Sequence, residues 1–268
     1  MRTFLSTRSF APGNSHCYSV NYIKSCCPRT YYFCICNMPV ILNIETSTAV
    51  CSAALTAEGM ILCHRENFDG RNHAALLSDY IKDCLDFAAE REIRPEAVAV
   101  SLGPGSYTGL RIGLSEAKGL AYGLSVPLIG ISTLELMASR VMFSSDEIKP
   151  DTLFVPMIDA RRMEVYTAVY DFALTPLVEP RPLILDETSL ATLNPEGRPM
   201  LFFGDGAAKA RTLLESPTSR FVDGVTPLAV DMIALAERAY SRRDFLDLAY
   251  SVPTYLKDFQ ASKPKPLL

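Results

Sequence analysis

From residue 38 onward the apolar segments of this chain fall twice into one order: three strands, a helix, a strand, a helix and a strand. Short runs rich in Val, Ile, Leu and Thr, bounded by turn residues, predict strands over Val40–Glu45, Val50–Ala57 and Met60–Phe68. A helix is predicted from Asn72, as its cap, to about Glu90. Leu76, Leu77, Tyr80, Ile81, Cys84, Leu85 and Ala88 keep helical spacing there over a wide arc. A strand at Val98–Ser101, a helix at Thr108–Gly123 and a strand at Val126–Ile129 complete the first copy, and Ser132 is placed to cap a helix running to about Val141. After a polar stretch at 142–151 containing Pro150, the pattern restarts. Strands are predicted at Leu153–Ile158, Glu164–Tyr170 and Leu177–Leu185, then a short helix at Thr188–Leu193, a strand at Met200–Phe203, a helix at Gly206–Leu214 and a strand at Arg220–Val222. A helix over Pro227–Arg242 closes this copy. Such repetition implies a duplicated α/β architecture, with halves at 38–145 and 146–256 and its sites in the cleft between them.

Composition narrows the class. About half the residues (49%) are apolar, enough for a globular core, yet no apolar run reaches the roughly 18 residues of a membrane span. All 30 acidic residues lie beyond residue 37, while Arg2, Arg8, Lys24 and Arg29 precede it. An acidic body argues against broad, unassisted nucleic-acid binding. Residues 1–37 also hold five of the eight cysteines and no periodicity, and they read as an extension outside the fold, with Met38 as the start of the folded chain. Cys51, Cys63 and Cys84 sit in apolar contexts and read as buried thiols of a reducing, cytoplasmic compartment. At the far end, 257–268 contains Lys263-Pro264-Lys265-Pro266 and reads as a mobile tail.

The turn Gly103-Pro104-Gly105-Ser106-Tyr107-Thr108-Gly109 invites a test against phosphate and nucleophile motifs. No Lys-Ser/Thr pair follows Gly109, so it is not a P-loop; its glycines are spaced G-x-G-x-x-x-G, unlike a dinucleotide fingerprint; and Ser106 is not at a nucleophile elbow. Two readings remain: a tight strand-to-helix turn, or an anion site at a helix N-terminus. His16, His64 and His73 are the only histidines and form no ligand spacing, so no metal site is expected. Glu45-Thr46-Ser47-Thr48 and Asp159-Ala160-Arg161-Arg162-Met163-Glu164 occupy equivalent strand ends in the two halves. Each reads either as a solvated turn or as a cleft-lining ligand contact. Gly109, Gly113, Ala117 and Ala121 make one stripe of small residues along a helix, a sign of close approach by a neighbour.

ILNIETST at 41–48, the His73 helix with its Leu-Leu pair, SLGPGSYTGLRIGLSEAKGLA at 101–121, PLIGISTLE at 127–135, the Asp159-Ala160-Arg161 turn leading to Glu164 and Tyr166, and YLKDFQASKPK at 255–265 together resemble the TsaB (YeaZ) family. The likeness covers nearly all of 38–262 and leaves 1–37 without a counterpart. It implies a duplicated actin/Hsp70-like (ribonuclease-H-like) fold and a non-catalytic scaffold in forming threonylcarbamoyladenosine beside the tRNA anticodon. It further implies pairing with a TsaD-like transferase, self-association through the same surface, a TsaE-like ATPase in the complex, only indirect contact with tRNA, and no membrane. On that reading the partner interface is His73, Leu76, Leu77, Tyr80, Ile81 and Cys84 of the first helix with Gly109, Arg111, Ile112, Gly113, Glu116 and Ala117 of the second. No intrinsic cofactor is expected; ATP is an option at the complex, and Glu45, Thr46, Ser47 and Thr48 are the candidate cofactor contacts on composition alone. The rival reading is an actin-like-fold ATPase or small-molecule kinase using Glu45–Thr48 and Asp159–Glu164.

Overall fold

The computed structural model describes residues 39–70, 73–144, 148–194 and 196–257. The expectations for 1–37, for Asn72 as a cap and for residues beyond Lys257 lie outside them.

Among the described residues ten strands form two five-stranded sheets. The first holds β1 (Ile41–Glu45), β2 (Cys51–Ala57), β3 (Met60–Asn67), β4 (Ala97–Gly103) and β5 (Leu128–Ser132) in the order β3-β2-β1-β4-β5. The second holds β6 (Leu153–Asp159), β7 (Glu164–Tyr170), β8 (Pro176–Ile184), β9 (Met200–Phe203) and β10 (Ser219–Val222) in the order β10-β9-β6-β7-β8. In each half the first strand is central. It pairs antiparallel with the second strand of its half and parallel with the fourth. One topology used twice is the duplicated actin-like architecture.

Alternation along the strands sorts side chains into three layers. Ile41, Ala97, Ala99, Ile129, Phe154, Ile158, Leu201 and Phe203 face inward and share one core between the sheets. That core is filled by α3 (Thr133–Met142) and α6 (Ile233–Arg242), through Leu134, Met137, Val141, Leu235 and Ala236. Leu42, Ile44, Val98 and Val100 face outward against α1 (His73–Glu90) and α2 (Tyr107–Leu124). Val155, Met157, Met200 and Phe202 do the same in the second half against α5 (Ala207–Leu214), while α4 (Ser189–Leu193) adds Leu193 to that layer. Strands buried on both faces read as continuous apolar runs, which is why the central segments were legible. Asn43 interrupts β1 and faces inward, where its amide donates to the Thr56 hydroxyl at 2.8 Å.

Three expectations need correction. Ser132 occupies the N-cap position of α3, but its hydroxyl makes no capping bond. The helix expected over 227–242 opens as a 3-10 turn, Ala229–Met232, before α6. The second half also does not run to 256. The chain returns to the first sheet at Leu246, whose N–H donates to the Leu128 carbonyl at 2.8 Å, and stays there to Thr254, whose N–H donates to Leu102 at 2.8 Å. Lys118 of α2 holds this strap through the Ser251 carbonyl at 2.7 Å.

The neighbour of the small-residue stripe of α2 is the β1–β2 turn of the same chain. A Cβ on Gly109 would overlap the Thr46 carbonyl oxygen, and one on Gly113 the Thr46 hydroxyl; one on Gly105 would overlap the Ser47 carbonyl. Ala117 and Ala121 are fully buried against the first sheet. The stripe lets α2 lie directly on the β1–β2 turn of its own chain. Gly119, by contrast, has open space where a Cβ would go. Gly109→Ala should therefore cost roughly 1–3 kcal/mol from overpacking, while Gly119→Ala should gain about 0.5–1 kcal/mol by helix propensity. Urea unfolding of the two variants checks this; equal midpoints would contradict the packing described.

Candidate functional site

Between the halves lies an open cleft of about 1130 Å³. Its first wall is the β1–β2 turn and the β4–α2 turn; its second is the β6–β7 turn with Asp205; the strap residues Thr254–Lys257 border both.

The first wall is built by two interlocked turns. Ser106 caps α2 by accepting from the Gly109 N–H at 3.2 Å, and its own N–H donates to the Ser47 carbonyl at 2.6 Å. The Thr46 hydroxyl donates to the Gly109 carbonyl at 2.8 Å. Glu45 lies at the inward-facing end of β1, fully buried, and accepts from the Ser47 N–H at 2.5 Å. Burial pushes its carboxyl up to about 7, against the hydroxyls of Ser47 and Ser101 and the Ser47 N–H, which pull it down. Of the four residues expected to touch a ligand, Glu45 and Thr46 have no exposed surface and Ser47 has 1%; only Thr48 is substantially open to the cleft. The glycine turn lies against Thr46 and Ser47 at the cleft wall.

The second wall carries more charge. Asp159 accepts from Lys209 Nζ at 2.6 Å and from the Arg161 N–H at 2.6 Å, and its N–H donates to Asp205 at 3.0 Å. Burial acts to raise the Asp159 carboxyl, but Lys209 and the Arg161 N–H outweigh it and hold it below its ordinary value. Burial raises Asp205, and the charge of Asp159 adds to that. Lys209 also donates to the carbonyls of Arg162 at 2.8 Å and Glu164 at 2.5 Å, fixing the turn. Arg161 and Arg162 both stand at positive φ, 67° and 52°, and are exposed.

The strap supplies residues that the sequence did not point to. Tyr255 packs on Tyr107 with ring centroids 5.2 Å apart, and its hydroxyl accepts from Arg111 Nε at 2.9 Å. Arg111 lies over the Tyr107 ring at 4.2 Å. Lys257 forms an ion pair with Glu164 across the cleft, so the predicted tail is anchored at its first residue. The YLK run at 255–257 was visible, but nothing local in it showed which surface it meets.

The predicted interface splits between two faces. Leu77, Ile81 and Cys84 point into the outer core, and Gly109, Gly113 and Ala117 are buried against the chain's own turn and sheet; of these six, Leu77 borders the groove between the helices with 1% of its surface exposed. Leu76, Tyr80, Ile112 and Glu116 are half-buried and Arg111 exposed, while the side chain of His73 lies outside the described residues. Across the outer face the Ser78 hydroxyl donates to Glu116 at 2.7 Å, and Ser78, Arg111, Ile112, Ser115 and Glu116 line a shallow groove. Among the described residues no three His, Cys, Asp or Glu side chains converge as a metal would require, and no helix is long and apolar enough to cross a membrane.

Comparison with known proteins fits this geometry. The chain is 30% identical over 237 residues to the tRNA threonylcarbamoyladenosine biosynthesis protein TsaB of Escherichia coli K12, covering 84% of this chain and 98% of that one. The chain belongs to the TsaB family. The TsaB of Bacillus subtilis is 30% identical over 177 residues, covering 65% of this chain and 75% of that one. The family model described as TsaD, tRNA N6-adenosine threonylcarbamoyltransferase, matches residues 67–263. Two solved structures from Pseudomonas aeruginosa share the fold at 26% identity, each covering 82% of this chain and all of that one: YeaZ, with a TM-score of 0.66, and an uncharacterized protein with similarity to peptidase YEAZ, at 0.68. These TsaB relatives are named for threonylcarbamoyladenosine biosynthesis.

Burial of Glu45 has a measurable consequence. A carboxyl raised from 4.5 to about 7 binds its proton more tightly when folded, so its contribution is fully present below about 4.5 and is lost as pH rises through about 7. That window is worth roughly 3 kcal/mol. Glu45→Gln should flatten the fall in stability between these limits and leave the variant the more stable protein at pH 8. Denaturant unfolding at pH 5 and pH 8 tests this; parallel pH profiles would contradict it.

Proposed function

We propose that this TsaB-family chain is a non-catalytic subunit that docks a TsaD-like transferase through the outward face of α1 and α2 and supports transfer of a threonylcarbamoyl group to the adenosine beside the tRNA anticodon. The observation that carries the reading is the division of these helices. One side of each is locked into the first sheet, while half-buried Leu76 of α1 and Tyr122 of α2, 81% exposed, lie outside that core, and the Ser78–Glu116 hydrogen bond joins the two helices. A partly apolar helix face with a polar rim is what a protein partner fits. The same face would serve a second copy of the chain, so self-association and heterodimer formation compete. A TsaE-like ATPase joins the pair, and any ATP is held by the assembled complex. The interlocked turns support this assignment, because they occupy the end of β1 that a nucleotide-hydrolysing member of the fold would need open. The setting is the cytoplasm, which suits the three buried free thiols.

Reconstitution tests the proposal. With the transferase, the ATPase, unmodified tRNA and a source of threonylcarbamoyl-adenylate, modified tRNA should accumulate at least tenfold faster when this chain is present. Robust Mg-ATP turnover by the chain alone, or an equal yield of modified tRNA without it, would overturn the assignment.

A further inference from the structure

The docking reading leaves the cleft between the halves unused, and its charges do not cancel. Three acidic side chains line it, and each is already engaged. Asp159 is held by Lys209 and the Arg161 N–H, Glu164 by Lys257, and Asp205 by the Asp159 N–H. Arg161 and Arg162, on the same turn, are exposed and make no side-chain hydrogen bond or ion pair with any described residue. Their positive φ values are unusual for residues carrying a Cβ, so the turn holds two guanidinium groups where glycine would fit with less strain. From the opposite wall, Arg111 lies flat on Tyr107 and is fixed by the Tyr255 hydroxyl, so little of its side-chain freedom remains to be lost on binding.

We propose that the mouth of this cleft is a contact site for the phosphodiester backbone of RNA, with Arg161 and Arg162 on one wall and Arg111 on the other. Guanidinium forks match phosphate oxygens. An RNA backbone fits better than a free mononucleotide. The β1–β2 turn, where the fold would grip a terminal phosphate, is filled by Gly105 and Ser106, while the mouth stays open to a strand lying across it. A local cationic mouth on an acidic body confines such contact to one place. The inference rests on the proposed tRNA-modification role and deepens it: the chain touches the RNA directly instead of only through its partner.

The test is binding of labelled, unmodified tRNA to the full chain, alone and with the transferase, across a salt series. The double variant Arg161→Ser, Arg162→Ser is compared with wild type, and both are first shown to unfold at the same temperature. The double variant should bind tRNA about tenfold more weakly, and the slope of log affinity against log salt should fall by about 1.5 to 2, as expected for two lost phosphate contacts. Its affinity for the transferase, read separately by calorimetry, should not change. Unchanged tRNA affinity and salt slope would overturn the site. Saturable Mg-ATP binding abolished by the double substitution, with tRNA binding intact, would overturn it in favour of a mononucleotide. If the chain fails to bind the transferase, the docking reading falls, and the tRNA arm on the isolated chain still decides this one.

Discussion

The rest of the first half depends on the contact between two turns. Thr46 and Ser47, at the end of the central strand, are gripped by Ser106 and Gly109 at the start of α2, and the grip works only because Gly105, Gly109 and Gly113 present no side chains. Backbone hydrogen bonds at such close range set where α2 lies on the sheet. They thereby set which residues of α2 face inward and which face solvent. The same contact buries Glu45 and fills the strand end. A turn that could have served a ligand is used instead to fix a surface.

The halves are not independent units. Each contributes a helix to a core they share: α3 and α6 lie between the two sheets, and the Arg140–Asp231 ion pair at 2.8 Å joins them. Burial still holds the Asp231 carboxyl above its ordinary value, with Arg140 opposing the shift. The strap over residues 244–257 adds a second link: Phe245 packs on Tyr240 of α6, Leu246 returns to β5, Ser251 meets α2 through Lys118, and Lys257 pairs with Glu164. Motion between the halves is therefore restrained by a packed core on one side and by the strap with its ion pair at the cleft.

Much of this was legible before the structure. The repeated strand and helix order follows from apolar runs that must be buried on both faces, and Val98–Ser101 or Leu153–Ile158 admit few other fates. The small-residue stripe of α2 was legible as a sign of close approach. Its direction was not, because spacing along a helix gives a face without saying what lies against it; here the neighbour is a turn about 60 residues upstream (Gly109 against Thr46, |i−j| = 63). The burial of Glu45–Ser47 was not legible for the same reason, since burial is a property of the packed chain. The strap escaped notice because Asp244–Lys257 has no periodicity and pairs through a single bridge at Leu246. Arg161 and Arg162 were visible as charges in a turn, but their lack of partners emerged only once Lys209 was seen to hold the neighbouring Asp159 and Lys257 to hold Glu164.

The central claim is that the outward face of α1 and α2, and not the buried stripe, meets the transferase. Calorimetric titration of the transferase with Ser115→Arg tests it most directly, because Ser115 is exposed and lines the groove on that face, outside the outer core. The account predicts at least a tenfold loss of affinity with the fold and thermal midpoint preserved. Wild-type affinity in a folded Ser115→Arg protein would contradict it.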